Sequence, residues 1–174
     1  MTDASDDGFL GRMIEVAIIT SDHRKAIEGL SKLGIGPWRI YTFSPDNVAN
    51  QTYRGKPAEF TLKVCFADAE DGSPVWEVIE PVSGPTIFQE FIDAHGDGIH
   101  HVAYDCNDIP FKERIAEFER RGFEFAQGGS WEGKCHFAFF ETESKTTTCL
   151  ETIAFDADWT YPEPDAWYPP RGKG

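Results

Sequence analysis

The feature that most constrains the fold of this chain is an internal repeat. The segment IEVAIITSD (residues 14–22) aligns with HHVAYDCND (100–108), 86 residues further along, and VWEVIEP (75–81) aligns with CLETIAF (149–155). These alignments match Val16 with Val102, Ala17 with Ala103, Asp22 with Asp108, Glu77 with Glu151 and Ile79 with Ile153. Two copies at so long a period indicate paired modules rather than a solenoid.

Each copy has the same order of elements. A strand with alternating apolar residues is followed by an amphipathic helix and then by three segments rich in β-branched and aromatic residues. The sequence therefore predicts an α+β protein, with two tandem βαβββ modules forming an open, curved mixed sheet around a central cleft. The predicted boundaries are a flexible acidic leader (1–11), the first module (12–82), a connecting helix (83–98), the second module (99–156) and a C-terminal tail (157–174).

The C-terminal tail, WTYPEPDAWYPPRGKG, is rich in proline and aromatic residues and has no helical or strand periodicity. Disorder is the usual state of such a terminus. Its four Trp and Tyr side chains favour another interpretation, in which the tail packs over the sheet, a partner subunit or the cleft.

Charge and composition exclude several classes of function. Of the 174 residues, 40% are hydrophobic, which is typical of a globular protein, and the net charge of −14 argues against a nucleic-acid partner or an anionic membrane surface. The longest apolar run, VAIIT, is too short to span a bilayer, and the acidic start lacks the pattern of a secretory signal. We therefore expect a cytoplasmic protein whose four separated cysteines are buried free thiols.

The repeat also brings polar residues into correspondence. It places Glu15 over His101 and Glu77 over Glu151, each on a first or last strand between apolar neighbours. Because side chains alternate across a strand, His101 shares the face of Glu15, and His100 is expected on the opposite face as a packing residue. Four such positions related by one twofold operation predict a shared polar cleft.

The charge of this predicted cleft limits its chemistry. Three carboxylates and one imidazole repel one another unless a cation or protons neutralise them. Oxygen-rich ligand sets suit hard divalent ions, so Mg²⁺, Mn²⁺, Fe²⁺, Co²⁺ or Ni²⁺ is the expected cofactor. The alternative is a metal-free cleft in which one carboxylate has a raised pKa and acts as a base.

Two βαβββ modules with polar residues on their first and last strands resemble the vicinal oxygen chelate superfamily over about residues 12–156. GIHHVAYDCNDI and WEVIEPVSGPTIFQEFIDAHGDG are most similar to the methylmalonyl-CoA epimerases, and the lactoylglutathione lyases (glyoxalase I) are the second relatives. By position, the resemblance implies a metal site at Glu15, Glu77, His101 and Glu151. Glu15 departs from the His or Gln usual there, which weakens a ring-cleaving dioxygenase interpretation because its metal site needs two histidines.

The resemblance implies metal-assisted proton transfer next to a carbonyl, with stabilisation of the enolate. Glu151 is the first choice for the base and Glu77 the second. The activity would be that of an isomerase, epimerase or lyase, and a homodimer is expected. A metal-free acid–base enzyme and a non-catalytic, resistance-type binding protein are the alternatives on the same scaffold.

The substrate class stays open between an acyl-CoA and a hydrophobic carbonyl metabolite. A coenzyme A thioester needs basic residues at the cleft mouth to meet its phosphates, whereas the basic residues here are scattered and outnumbered. The large aromatic set favours an apolar pocket. Its candidate substrate-binding residues are Trp38, Tyr41, Trp76 and Phe139.

Overall fold

A computed structural model describes residues 8–69 and 71–171. The strands are β1 (Met13–Ile19), β2 (Trp38–Phe43), β3 (Val48–Tyr53), β4 (Lys56–Pro57), β5 (Thr61–Ala67), β6 (Val75–Ser83), β7 (Gly98–Tyr104), β8 (Phe125–Trp131), β9 (Cys135–Phe140), β10 (Cys149–Phe155) and β11 (Ala166–Tyr168). The helices are α1 (His23–Ser31), α2 (Ile87–His95), α3 (Phe111–Arg120) and α4 (Glu143–Thr146), with a 3-10 turn at Cys106–Asp108. No helix among these residues is long and apolar enough to cross a membrane.

The strands form one sheet in the order β11-β2-β5-β6-β1-β7-β10-β9-β8-β3-β4. Within each repeat the first strand pairs in parallel with the last, β1 with β6 and β7 with β10. The repeats join through the antiparallel pair β1–β7, in which Val16 lies opposite Val102. The predicted curved mixed sheet of two βαβββ modules is confirmed, and its centre consists of the four strands that carry the repeated polar residues.

The hairpin β3–β4 crosses from one module to the other, which the sequence did not predict. Arg54 and Gly55 both have positive φ, as a two-residue hairpin turn requires. Although β3 follows β2 directly along the chain, it pairs with β8 at the opposite end of the sheet order. The sheet must therefore curl until its two ends approach each other, which encloses its concave face.

Apolar residues are buried on both faces of the sheet. The concave face carries the main core, and smaller clusters lie on the outer face around α1 and α3. In the cluster around α3, Phe118 stacks on Phe140 with ring centroids 3.8 Å apart. Full burial of one such side chain contributes about 1.5–3 kcal/mol.

Both ends of the described range, residues 8–171, pack on this frame. Phe9 is buried against Phe118, so the prediction of a flexible leader is wrong for residues 8–11, and residues 1–7 lie outside the described range. At the other end β11 pairs with β2, and Trp159 and Tyr161 pack on the concave core. All four cysteines are buried free thiols, as predicted.

Candidate metal centre and substrate cavity

Four polar side chains meet at the centre of the concave face, where β6, β1, β7 and β10 lie side by side. Ala17 is opposite both Glu77 on β6 and His101 on β7, and Ala103 is opposite Glu151 on β10. Because the two alanines are small and face the same side, they leave room for the longer polar side chains beside them. The sequence alignment thus gave the correct face for the four polar residues.

These four side chains are close together and almost completely buried. His101 Nε2 lies 3.2 Å from Glu77 Oε2 and 3.2 Å from Glu151 Oε2. One potential ligand atom from each of Glu15, Glu77, His101 and Glu151 lies within 4.8 Å of the others. Their exposed fractions are 5%, 6%, 0% and 3% in that order. The structure therefore brings together all four residues that the repeat singled out.

Burial and mutual repulsion make this cluster unfavourable as three free anions. Burial raises the pKa of Glu15 well above its usual range, and the nearby charges of Glu77 and Glu151 raise it further. Burial and then Glu151 raise the pKa of Glu77 in the same way. Burial also raises the pKa of Glu151, although its contact with His101 opposes the shift. The cluster consequently needs protons or a cation to neutralise it.

The same four residues fit a divalent metal ion. Glu151 Oε2 is buried and lies 3.2 Å from His101 Nε2, but it takes part in no hydrogen bond within the described protein, so this oxygen has an unused acceptor position. Three carboxylates and one imidazole form the oxygen-rich ligand set that Mg²⁺, Mn²⁺, Fe²⁺, Co²⁺ and Ni²⁺ accept. Two ligands of one such ion are at most about 4.4 Å apart at bond lengths of 2.0–2.2 Å, and the four candidate atoms, which lie within 4.8 Å of one another, need only a small shift to meet that limit.

His100 lies in the same cluster as His101, and the prediction that it faces the opposite side is wrong. In the β1–β7 pair, Ile18 lies opposite Ile99 and the next residue, Ala17, lies opposite His101. His100 is therefore an extra residue on β7, which is a β-bulge. A bulge interrupts the alternation of side chains, and both histidines are buried. His100 Nδ1 is 2.8 Å from His101 Nδ1, and its ring contacts Phe88 and Phe91 of α2.

An apolar cavity opens above the carboxylates. Glu15, Glu77 and Glu151 lie in its lining, and its empty volume is about 500 Å³ including the mouth. Its aromatic walls come from both modules and from α2, namely from Phe43, Phe66, Phe88, Trp131, Phe137 and Phe139. A polar cluster at the base of an apolar pocket is the usual arrangement of a small-molecule site.

The predicted substrate-binding residues fall in different places. Phe139 lines the cavity, 4.9 Å from the His101 ring. Tyr41 is on the concave face beside Trp131 but is not part of the lining. Trp38 and Trp76 belong to the outer cluster around α1, where Trp38 Nε1 donates to Ser31 and to the Ile35 carbonyl. The expectation that these two tryptophans line the pocket is therefore corrected.

Sequence reasoning missed most of the aromatic wall residues, and Phe66 and Phe88 show two different reasons. Phe66 lies opposite Glu77 across the β5–β6 pair, so a predicted register for that hairpin would have placed it beside the carboxylates. Phe88 is on α2 and reaches the His101 ring at 5.9 Å. Nothing in the sequence indicates that the connecting helix covers this end of the cavity.

Comparisons with known proteins agree with this architecture. The Glyoxalase/Bleomycin resistance protein/Dioxygenase superfamily profile matches residues 15–139. Methylmalonyl-CoA epimerase from Mycobacterium tuberculosis is similar in structure, with a TM-score of 0.59 and 12% identity over 83% of this chain and 88% of that chain. A hypothetical protein from Bacillus halodurans C-125 has a TM-score of 0.60 and 16% identity over 86% and 98% of the two chains.

A Streptomyces coelicolor methylmalonyl-CoA epimerase in complex with 2-nitronate-propionyl-CoA is also similar, with a TM-score of 0.57 and 14% identity over 85% of this chain and 99% of that chain. No curated protein sequence matches the chain. At these identities the solved structures establish the fold, whereas the superfamily profile covers more than half of the sequence. The chain belongs to the Glyoxalase/Bleomycin resistance protein/Dioxygenase superfamily, the vicinal oxygen chelate proteins.

Proposed function

We propose that this protein is a metal-dependent isomerase, epimerase or lyase that removes a proton next to a substrate carbonyl. The observation that carries the proposal is the convergence of Glu15, Glu77, His101 and Glu151 at the base of the apolar cavity. These four residues would hold the ion. When bound, the ion supplies Lewis-acid stabilisation of the negative charge that develops on the carbonyl oxygen.

Glu151 is the proposed base. It lines the cavity, and its Oε2 contacts His101 Nε2 at 3.2 Å without a hydrogen bond within the described protein, so this oxygen is the one we expect to take a substrate proton. The raised pKa of the Glu151 carboxyl suits a group that takes a proton and then returns it near neutral pH. Glu77 is the second candidate, and its carboxylate is hydrogen-bonded to Glu15, which restrains its movement.

The walls of the cavity support the same chemistry. Phe88 and Phe139 pack around the His101 ring and fix its position beside the carboxylates. Aromatic walls also exclude water, which strengthens electrostatic interactions at the reacting atoms. The named structural neighbours include epimerases, which supports an isomerase-type activity at the level of the superfamily.

Metal analysis and proton exchange test this proposal. Protein purified without chelators is expected to contain stoichiometric divalent metal, and it should exchange the α-protons of a bound carbonyl compound with deuterated solvent. Glu151→Gln should lower the exchange rate by at least about 100-fold, because general base catalysis contributes about 10²–10⁴. Glu80→Gln is the control, since Glu80 lies on β6, the strand of Glu77, and contacts His23.

Full exchange activity in Glu151→Gln would overturn the assignment of the base. Metal-free protein that Mn²⁺, Co²⁺ or Ni²⁺ neither activates nor stabilises would instead favour a metal-free acid–base enzyme. The raised pKa values of Glu15 and Glu77 support that second candidate, because a cluster without metal keeps protons available for transfer.

A further inference from the structure

Two buried hydrogen-bond donors, one in the cavity wall and one in the adjoining groove, have no partner among the described residues. These donors are the indole nitrogens of Trp131 and Trp159, whose rings lie 5.1 Å apart. Trp131 is 1% exposed and lines the cavity. A buried donor without an acceptor costs about 1–3 kcal/mol, so these two N–H groups favour an occupant that brings an acceptor atom.

The donors belong to an aromatic enclosure that the C-terminal segment (residues 157–171) completes. Tyr161 packs on Phe66, Trp131 and Trp159 and lines the cavity. The segment is held by the hydrogen bond from the Tyr41 hydroxyl to the Pro162 carbonyl. It lies beyond the part of the chain that the superfamily profile matches.

The surroundings of the cavity do not suit a polyanion. Two basic side chains of this region already have carboxylate partners, since Arg39, which lies over the Tyr161 ring, contacts Asp68 at 2.6 Å and Lys134 contacts Asp158 at 2.6 Å. A wider groove shares Glu15 and Tyr161 with the cavity. That groove contains an excess of carboxylates over arginines, with Glu15, Asp105, Asp108 and Asp156 against Arg12 and Arg114.

We infer that the cavity binds a compact, uncharged aromatic carbonyl compound rather than a coenzyme A thioester. Flat apolar rings match the aromatic walls, and the carbonyl oxygen or a second acceptor on the ring system accepts from the unpartnered indole N–H of Trp131. Among the described residues, the lining contains no lysine, arginine or histidine that could meet the phosphates of a nucleotide. The inference rests on the proposed function only in assigning the substrate's reactive end to the carboxylates.

Calorimetric titration of the full chain with three probes tests this inference. We expect saturable 1:1 binding of 2-acetylnaphthalene, three- to tenfold weaker binding of 2-ethylnaphthalene, which lacks the acceptor, and no binding of propionyl-CoA at millimolar concentration. Trp131→Phe and Trp159→Phe each keep an aromatic ring and remove one donor, and the preference for the ketone should fall most in Trp131→Phe, because Trp131 lines the cavity and Trp159 lines the adjoining groove. Trp167→Phe, on β11 outside the cavity lining, is the matched control.

Propionyl-CoA binding more tightly than the naphthalene ketone would overturn the inference. So would an equal preference for the ketone in the native protein and in both Phe variants. The result is separable from the proposed function: a ketone that binds without α-proton exchange contradicts only the catalytic proposal. Exchange on propionyl-CoA without any binding of the aromatic probes contradicts only the substrate class.

Discussion

The contact between the two neighbouring histidines determines the hydrogen-bonding state of the site. Burial, followed by the nearby His101, lowers the pKa of His100 to about 2, so His100 is a neutral imidazole. Its Nδ1 and that of His101 are 2.8 Å apart, and one of them must therefore carry the hydrogen that the other accepts. If His101 donates, its Nε2 presents a lone pair between Glu77 and Glu151.

Replacing His100 tests whether it sets this tautomer. His100→Leu removes the acceptor for His101, and we expect Co²⁺ affinity to fall about 10–100-fold, as when the outer partner of a ligating histidine is lost. His100→Asn places an amide oxygen near the Nδ1 position and should recover most of the affinity. Competition with a chromophoric chelator measures both values. Unchanged affinity in His100→Leu would show that the contact has no influence on the ligand.

Glu15→Gln should stabilise the protein when metal is removed by a chelator. The raised pKa of Glu15 means that the folded state keeps a proton that the unfolded chain releases above about pH 4.3. Stability from this group is therefore full at low pH and is lost as pH rises through the folded-state pKa. Calorimetry from pH 5 to 8 should show an advantage of the Gln variant that grows with pH. With added Mn²⁺ the native protein should become the more stable of the two, because the variant lacks one carboxylate ligand.

Among the elements, β8 shows how backbone space determines the shape of the sheet. A Cβ on Gly128 would lie 2.7 Å from the Phe137 carbonyl oxygen, and a Cβ on Gly129 would lie 2.8 Å from Val48 of β3. These two glycines allow β3 and β9 to approach β8 closely from either side. The position of the β3–β4 hairpin therefore depends on two glycines of β8, a strand of the second module.

Alanine substitutions at two glycines should have opposite effects on stability. Gly128→Ala forces its Cβ against backbone and is expected to lower the free energy of unfolding by about 1–3 kcal/mol. Gly29→Ala, in α1 with open space around the site, should raise it by roughly 0.5–1 kcal/mol because alanine favours the helix. Urea unfolding measures both. A neutral Gly128→Ala would mean that β8 and β9 can separate slightly without loss of stability.

The sequence was sufficient to predict the repeated strands and the four polar residues, because an alternation of apolar and polar positions recurs at matching places. The same alternation would have excluded Trp76, since it adjoins the inward-facing Glu77 and must point outward. Two features could not be predicted in this way. The bulge near His100 breaks the alternation locally, and β3, with the sequence VANQTY, has too few apolar residues to indicate a buried partner strand.

At the scale of the whole molecule, the C-terminal segment joins the sheet edge to the cavity. The Tyr41 hydroxyl donates to the Pro162 carbonyl, Thr42 Oγ1 donates to Asp165, and β11 pairs with β2. These few bonds hold the C-terminal segment against the cavity that a substrate would enter under the proposed function. Opening of this segment should therefore require less free energy than unfolding of the central strands.

Removing the two side-chain bonds should make that opening measurable. In a Tyr41→Phe/Thr42→Val double variant, we expect faster amide hydrogen exchange in residues 159–168 and unchanged exchange in β1 and β7. Tyr53→Phe is the control, because the Tyr53 hydroxyl donates to Glu90 on α2 and not to this segment. Equal exchange in the double variant and the native protein would show that aromatic packing alone holds the segment.

A homodimer stays a prediction, since β1 and β7 already unite both modules within a single chain. Light scattering on the purified protein checks it directly, and a mass equal to that of one chain across micromolar concentrations would contradict it. Copies of a chain with a net charge of −14 repel one another, and salt screens this repulsion. The mass should therefore be measured at both low and high salt.

The pairing of Val16 with Val102 marks the axis that relates the two modules, and it has a stereochemical consequence. Groups exchanged by a twofold rotation stand on opposite sides of the axis, and Glu77 and Glu151 are such a pair. Under the proposed function, a trigonal substrate carbon whose plane contains this axis would turn one face towards each carboxylate. Return of the proton from one side would then retain the configuration, and return from the other side would invert it.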